Sequence, residues 1–122
     1  MRLIIVDDSQ IIREKLRELL HDIDNLDIVA EAEDGLDALE KFQQHYPDII
    51  ILDLKIPKLD GIKVLQTIKT GDVPVVVIVL TNFGNKYFKD ACINYGADYF
   101  LDKTIDFEEV YTICKNLTEQ KN

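Results

Sequence analysis

Apolar residues along the chain fall into two kinds of run that alternate. Short stretches of β-branched and aliphatic residues at 3–6, 28–30, 49–52 and 75–80, and a less pure one at 98–103, read as strands. Between them apolar residues recur at helical spacing: Ile12, Leu16, Leu19 and Leu20; Leu36, Leu39 and Phe42; Val64, Leu65 and Ile68; Phe88, Ala91, Cys92 and Tyr95; Phe107, Val110, Cys114 and Leu117. The punctuation agrees with that division. Asp7-Asp8-Ser9 suits the cap of a first helix running from Ser9 to about His21, and Asn25 marks its exit. Asp34-Gly35 and Asp60-Gly61 open the second and third helices, which Tyr46-Pro47 and Thr70-Gly71 close. Pro74 introduces the fourth strand and Gly96 stops the fourth helix. The last helix is expected from about Asp106, followed by a polar tail from Thr118 to Asn122.

A strand-helix alternation repeated five times predicts an α/β fold: a parallel sheet wrapped on both faces by helices through right-handed crossovers. The runs at 49–52 and 75–80 have no polar alternation, as expected of strands buried on both sides. Parallel strands all finish at one edge, where open α/β sheets bind their ligands. Asp7 and Asp8 follow the first strand, Asp53 the third, Thr81 the fourth and Lys103 the fifth, so the topology predicts that these five converge. Singly, each has a simpler reading. Asp8, Ser9 and Thr81 can cap helices, Asp53 can serve turn amides ahead of Pro57, and Lys103 can be one more solvated lysine. Together they make a chemistry. Three facing carboxylates repel one another unless a cation lies between them, and an oxygen-only set without nearby His or Cys suits magnesium. Carboxylates with a divalent ion, an ammonium and a hydroxyl suit phosphoryl transfer, with Asp53 as the nucleophile.

Length and charge narrow the picture. The 122 residues fit one domain, 1–122, that can bury a core without disulfides. A formal charge of -9 argues against direct binding to nucleic acid or to an anionic membrane, which need a basic footprint. Cys92 and Cys114 lie within helical patterns and form no metal-ligand spacing, which fits a reducing cytoplasm. The apolar start at residues 1–6 ends at Asp7-Asp8, far short of a signal peptide or a membrane span.

Asp7-Asp8, Leu52-Asp53, Pro57 with Asp60-Gly61, Leu80-Thr81, and Gly96-Ala97-Asp98 leading to Lys103 resemble the receiver domain of two-component response regulators over nearly the whole chain. The resemblance implies a flavodoxin-like three-layer fold with strand order 2-1-3-4-5. It implies that Asp53 accepts a phosphoryl group from a histidine kinase or a histidine phosphotransfer protein. It further implies that Asp8 and Asp53 ligate Mg2+ directly, that Asp7 acts largely through water, and that the Lys55 backbone carbonyl adds a ligand. Lys103 would pair with the phosphoryl group and Thr81 would bond one of its oxygens. Phe100, three residues before the lysine, would turn inward with Thr81 and remodel the face of the fourth helix, fifth strand and fifth helix, where a downstream protein docks. Receivers line the approach to phosphorus with the residues two after the aspartate and two after the threonine, here Lys55 and Phe83, which implies slow hydrolysis. Asn82 stands where receivers usually carry Ala or Gly, and Thr104 where many carry proline. A cis bond before Thr104 would cost about 2.5–4 kcal/mol.

Other functions are less well matched. A haloacid-dehalogenase-type phosphatase resembles Asp-x-Asp, but Lys55 stands two residues after Asp53. A nucleotide-binding domain wants a glycine-rich loop after the first strand, and Asp7-Asp8-Ser9-Gln10 has no glycine. Two alternatives stay open: a phosphate-independent interaction module of receiver fold, and a receiver cut from a longer DNA-binding regulator.

Overall fold

In the computed structural model, which describes residues 1–120, five strands alternate with five helices. They are β1 (Arg2–Val6), α1 (Gln10–Leu20), β2 (Asp27–Ala32), α2 (Gly35–His45), β3 (Ile49–Leu52), α3 (Gly61–Lys69), β4 (Val76–Thr81), α4 (Lys86–Asn94), β5 (Tyr99–Asp102) and α5 (Glu109–Gln120). The strands form one parallel sheet in the order β2-β1-β3-β4-β5, as the resemblance implies. β3 lies at its centre, and all four of its residues are buried.

Strand side chains alternate between two cores. On one face Ile4, Ile50, Leu52, Val77 and Val79 meet Ala38 of α2, Val64, Leu65 and Ile68 of α3, and Cys92 of α4. On the other face Leu3, Ile5, Ile49, Ile51, Ile78 and Leu80 meet Leu16 and Leu20 of α1 and Val110 and Cys114 of α5. The two cysteines therefore belong to opposite sides of the sheet, and both are free. Burial raises the Cys92 thiol to about 11 and the Cys114 thiol to about 12, which leaves both un-ionised near neutrality.

Both Asp-Gly pairs prove to be packing devices as well as caps. Asp34 and Asp60 accept the N–H groups of Asp37 and Lys63, three residues on. A Cβ on Gly35 would lie 1.8 Å from the Leu59 carbonyl oxygen, and one on Gly61 would lie 2.2 Å from that of Asp53. Only glycine lets α2 and α3 start this close to the loop after β3. Gly61 also donates its N–H to the Leu54 carbonyl at 2.7 Å, which fixes the backbone beside Asp53.

Several expectations need correction. β2 spans 27–32 rather than 28–30, because as an edge strand it pairs along β1 even where its residues are polar. β4 begins one residue later than expected and includes Thr81, while β5 loses Asp98 and Lys103 to the flanking loops. The final helix starts at Glu109, after a turn that occupies the residues assigned to its first coils. It continues to Gln120, with Thr118 only 5% exposed, so 118–120 are not a tail; Lys121 and Asn122 lie outside the described residues. Leu36 and Tyr95, expected to face inward, are 56% and 43% exposed. The buried face of α2 runs through Gly35 and Ala38 with Leu39 and Phe42 beside it, and Leu36 lies about 100° around the helix from Gly35. Tyr95 is the residue that caps α4, beyond its last packed turn.

Candidate functional site

The parallel edge brings Asp7, Asp8, Asp53 and Lys103 together, and Thr81 ends β4 next to them, its carbonyl accepting the Lys103 N–H at 3.1 Å. Asp53 is the first residue past β3, and its N–H donates to the Val6 carbonyl at 3.0 Å, which extends the ladder one residue beyond the strand. Its side chain is almost wholly covered, with Asp53 only 4% exposed. Lys103 Nζ lies 2.9 Å from Asp53 Oδ2 and 2.7 Å from Asp7 Oδ2, so one ammonium bridges two buried carboxylates. Asp53 Oδ1 has no hydrogen-bond partner among the described residues. Buried carboxylate oxygens without a partner are costly, and such an atom marks a place where charge from outside is wanted.

Asp7, Asp8 and Asp53 each offer a carboxylate oxygen, and the three oxygens lie within 4.8 Å of one another. Asp7 is buried and Asp8 is exposed, so the set opens to solvent on the Asp8 side. Oxygen-only donors, one of them orphaned, fit a hard divalent cation that keeps some of its water. Helix α1 is capped by Ser9, whose Oγ accepts the Ile12 N–H. Asp8 therefore has no capping duty, which removes its structural reading.

The electrostatics reflect two buried acids around one base. Burial is the largest influence on Asp7 and raises its carboxyl above the ordinary value, against the opposing hydrogen bonds from Lys103 and the Ser9 N–H. Burial also acts to lower Lys103, but its bonds to Asp7 and Asp53 together outweigh it and hold the ammonium protonated above its ordinary range.

Lys103 is delivered by a turn that the sequence reading missed. Asp102 donates its N–H to Asp106 Oδ2 at 2.9 Å, and Asp106 returns its own N–H to the Asp102 carbonyl at 2.9 Å. Asp102 Oδ1 accepts from Thr104 and Ile105 N–H at 2.7 and 3.0 Å. This Asx-type turn fixes the loop without the usual proline, and every described peptide bond is trans, Lys103-Thr104 included. Two aspartates at 102 and 106 around the lysine were the available signal. Asn82 is exposed and lines a groove between α1 and this turn, alongside Ser9, Ile12 and Lys103.

Thr81 is fully buried, and its Oγ1 accepts the Phe83 N–H at 3.2 Å. Phe100 is half-buried against the α2-α3-α4 core, and its ring edge lies 3.8 Å from where a Cβ on Gly84 would stand. Thr81 pairs in register with Asp102 and Val79 with Phe100, which sets Thr81 and Phe100 on one face of the sheet, two residues apart along the strands. Lys55 Nζ stands 4.8 Å from the Phe83 ring centroid, so these two residues touch each other as a cation-π pair.

Residues 3–115 match the model of the response regulator receiver domain. The chain belongs to that family. This receiver is 36% identical to the chemotaxis protein CheY of Listeria monocytogenes over 86 residues, which cover 70% of the chain and 71% of CheY. It is 42% identical over 89 residues, 71% of the chain, to a protein-glutamate methylesterase/protein-glutamine glutaminase of Xanthomonas euvesicatoria, of which the match covers only 25%. Among solved structures, the CheX-CheY-BeF3-Mg2+ complex of Borrelia burgdorferi has a chain that superposes on it with a TM-score of 0.87 at 30% identity, covering 97% of this receiver and 89% of that chain. The response regulator domain of Thermotoga maritima CheB gives 0.84 at 28% identity, covering 98% and 94%. The receiver is thus a component of two-component signalling. Among its described residues no helix is long and apolar enough to cross a membrane.

Proposed function

We propose that Asp53 is the phosphoacceptor, taking a phosphoryl group from a phosphohistidine on a histidine kinase or a histidine phosphotransfer protein. The observation that carries this is the orphaned Asp53 Oδ1 beside Asp7 and Asp8, with Lys103 holding the other oxygen. A carboxylate oxygen of Asp53 attacks phosphorus as the bond to the imidazole nitrogen breaks, so the histidine ring is the leaving group. Lys103 would take up charge on the phosphoryl oxygens, and Thr81 would exchange its bond from the Phe83 amide for one to the phosphoryl group. Asp8 and Asp53 would hold Mg2+ directly, Asp7 through water, and the Lys55 carbonyl would complete the protein's share. When bound, the ion supplies positive charge between the carboxylates and the transferring oxygens. Incubation with a small phosphodonor should add a single phosphoryl mass in Mg2+, and excess chelator should suppress it. An adduct formed equally well without a divalent ion contradicts this reading.

The output follows from the same switch. Thr81 drawn to the phosphoryl group vacates space on the sheet face it shares with Phe100, and the phenyl ring can follow by packing alone, having no hydroxyl to bond at either position. The face of α4, β5 and α5, with Tyr87, Tyr95 and Tyr99 exposed along it, would then meet a downstream protein in the cytoplasm. A phosphate-mimic complex should show the Phe100 ring more buried, with shifted aromatic resonances. An unmoved ring excludes this switch.

The Lys55-Phe83 pair supports a long-lived phosphoryl group. Hydrolysis needs water in line opposite the leaving carboxylate, and an aromatic ring braced by an ammonium narrows that approach. We expect Lys55→Asn combined with Phe83→Glu to speed loss of the phosphoryl group about tenfold in excess Mg2+. Equal decay of the two proteins would dismiss the shielding role.

A further inference from the structure

Asp7 is held at each of its polar atoms. Its N–H donates to the Ala32 carbonyl at 3.0 Å, its Oδ1 accepts the Ser9 N–H at 2.9 Å, and its Oδ2 meets Lys103. The fourth contact reaches in from α1: Arg13 Nη1 donates to the Asp7 carbonyl oxygen at 2.6 Å. The guanidinium is itself braced by β2, because Arg13 Nε donates to Glu31 Oε1 at 3.0 Å while Glu31 Oε2 is paired with Arg17 Nη1. The Arg13 side chain is only 13% exposed, so this is a packed contact rather than a loose surface pair.

A peptide unit is planar, so holding the Asp7 carbonyl also holds the amide of Asp8. We propose that Arg13 is a positioning residue for the cation site, fixing the Asp7-Asp8 peptide plane so that the exposed Asp8 carboxylate is presented toward Asp7 and Asp53. Nothing else among the hydrogen bonds of the described residues restrains the Asp8 side chain, which makes the orientation of its backbone the main control on where its oxygens stand. Glu31 and Arg17 act one step further out by setting the angle of the guanidinium. The inference rests on the reading of Asp7, Asp8 and Asp53 as a divalent-cation site.

Charge and geometry make opposite predictions here. A guanidinium on the Asp7 carbonyl repels a cation arriving at the neighbouring carboxylates, so if Arg13 acted by charge alone its removal would tighten Mg2+ binding. If it acts by position, removal weakens binding, by about tenfold, as for partners that orient a metal's ligands. The experiment is a Mg2+ titration of the full chain followed by backbone amide shifts, with hydrogen exchange at the Ser9 amide measured in metal-free protein. Arg13→Met should bind about tenfold more weakly and lose protection at Ser9, while the amides of β3 stay protected and report an intact fold. Arg13→Lys, which keeps one donor within reach, should recover part of the loss. Glu31→Gln removes a negative charge but leaves Arg13 its acceptor, and should bind within about twofold of the wild type. Arg13→Met binding as tightly as the wild type, or more tightly, overturns the proposal. Asp8→Asn binding Mg2+ as the wild type does would overturn the cation site itself and the proposal with it, whereas weak binding by Asp8→Asn with normal binding by Arg13→Met would remove only the role of Arg13.

Discussion

Lys103→Met should lose about 3–5 kcal/mol of folding stability in metal-free solution, a large share of what a domain of this size possesses. The lysine is the sole cation bridging Asp7 and Asp53 among the described residues, at 2.7 and 2.9 Å, and all three side chains are nearly covered. Truncating it leaves two buried carboxylates facing each other with no counter-charge. Methionine keeps most of the volume, so the loss reads the charge rather than a cavity. The protonated state of Lys103 is favoured in the folded protein, so its contribution is complete below its unfolded value near 10.4 and is lost as pH rises through the raised folded value. The deficit of the variant should therefore shrink in strongly alkaline solution. Asp7 follows the same sign at lower pH: its carboxyl is raised by burial, so its contribution to stability is present while it is protonated and is lost as pH rises through the raised folded value. Added Mg2+ should raise the melting temperature of Lys103→Met more than that of the wild type, because the cation replaces the missing charge. Thermal unfolding with and without Mg2+ checks this, and a variant as stable as the wild type would show that the bridge has no net worth.

The second large effect is chemical. Asp53→Asn should abolish phosphoryl uptake from any donor while leaving the fold in place. The amide is isosteric with the carboxylate and can still accept from Lys103 through its oxygen, but it has no anionic oxygen with which to attack phosphorus. The surrounding restraints do not depend on the side chain's charge, since the Asp53 N–H bonds Val6 and Gly61 packs on its carbonyl. Intact mass after incubation with a phosphodonor should show no adduct for Asp53→Asn under conditions that label the wild type fully. Persistent labelling of the variant would mean that another residue is the nucleophile.

What could be read in advance followed from topology. Once five strands are taken as parallel, their carboxyl ends must share an edge, and the meeting of Asp7, Asp8, Asp53 and Lys103 there is a geometric consequence. The periodicity of Val64, Leu65 and Ile68 or of Val110 and Cys114 likewise named true core positions. What escaped depends on contacts between elements that no local pattern encodes. Leu36 carries the apolar character of its helix but the wrong phase, because Gly35 must abut Leu59. Polar Asp102 and Asp106 gave no apolar signal, although their reciprocal bonds aim the lysine. Arg13 sits among the charged residues of an amphipathic helix and Glu31 just past the strand expected at 28–30, and the bonds that lead from Glu31 through Arg13 to the Asp7 carbonyl require the β1-β2 crossover to be built first. The proximity of Lys55 and Phe83 is similar: each lies two residues past a landmark, and only the curl of both loops brings ammonium to ring.

The most direct measurement on the site is the location of the phosphoryl group. Wild-type protein is incubated with a small phosphodonor and Mg2+, the acyl phosphate is trapped by borohydride reduction, and the modified residue is identified by peptide mass spectrometry. Modification at Asp53 alone is the predicted result. Modification at Asp7, Asp8, a histidine or a hydroxyl residue, or none at all under conditions where Mg2+ binds, would contradict it.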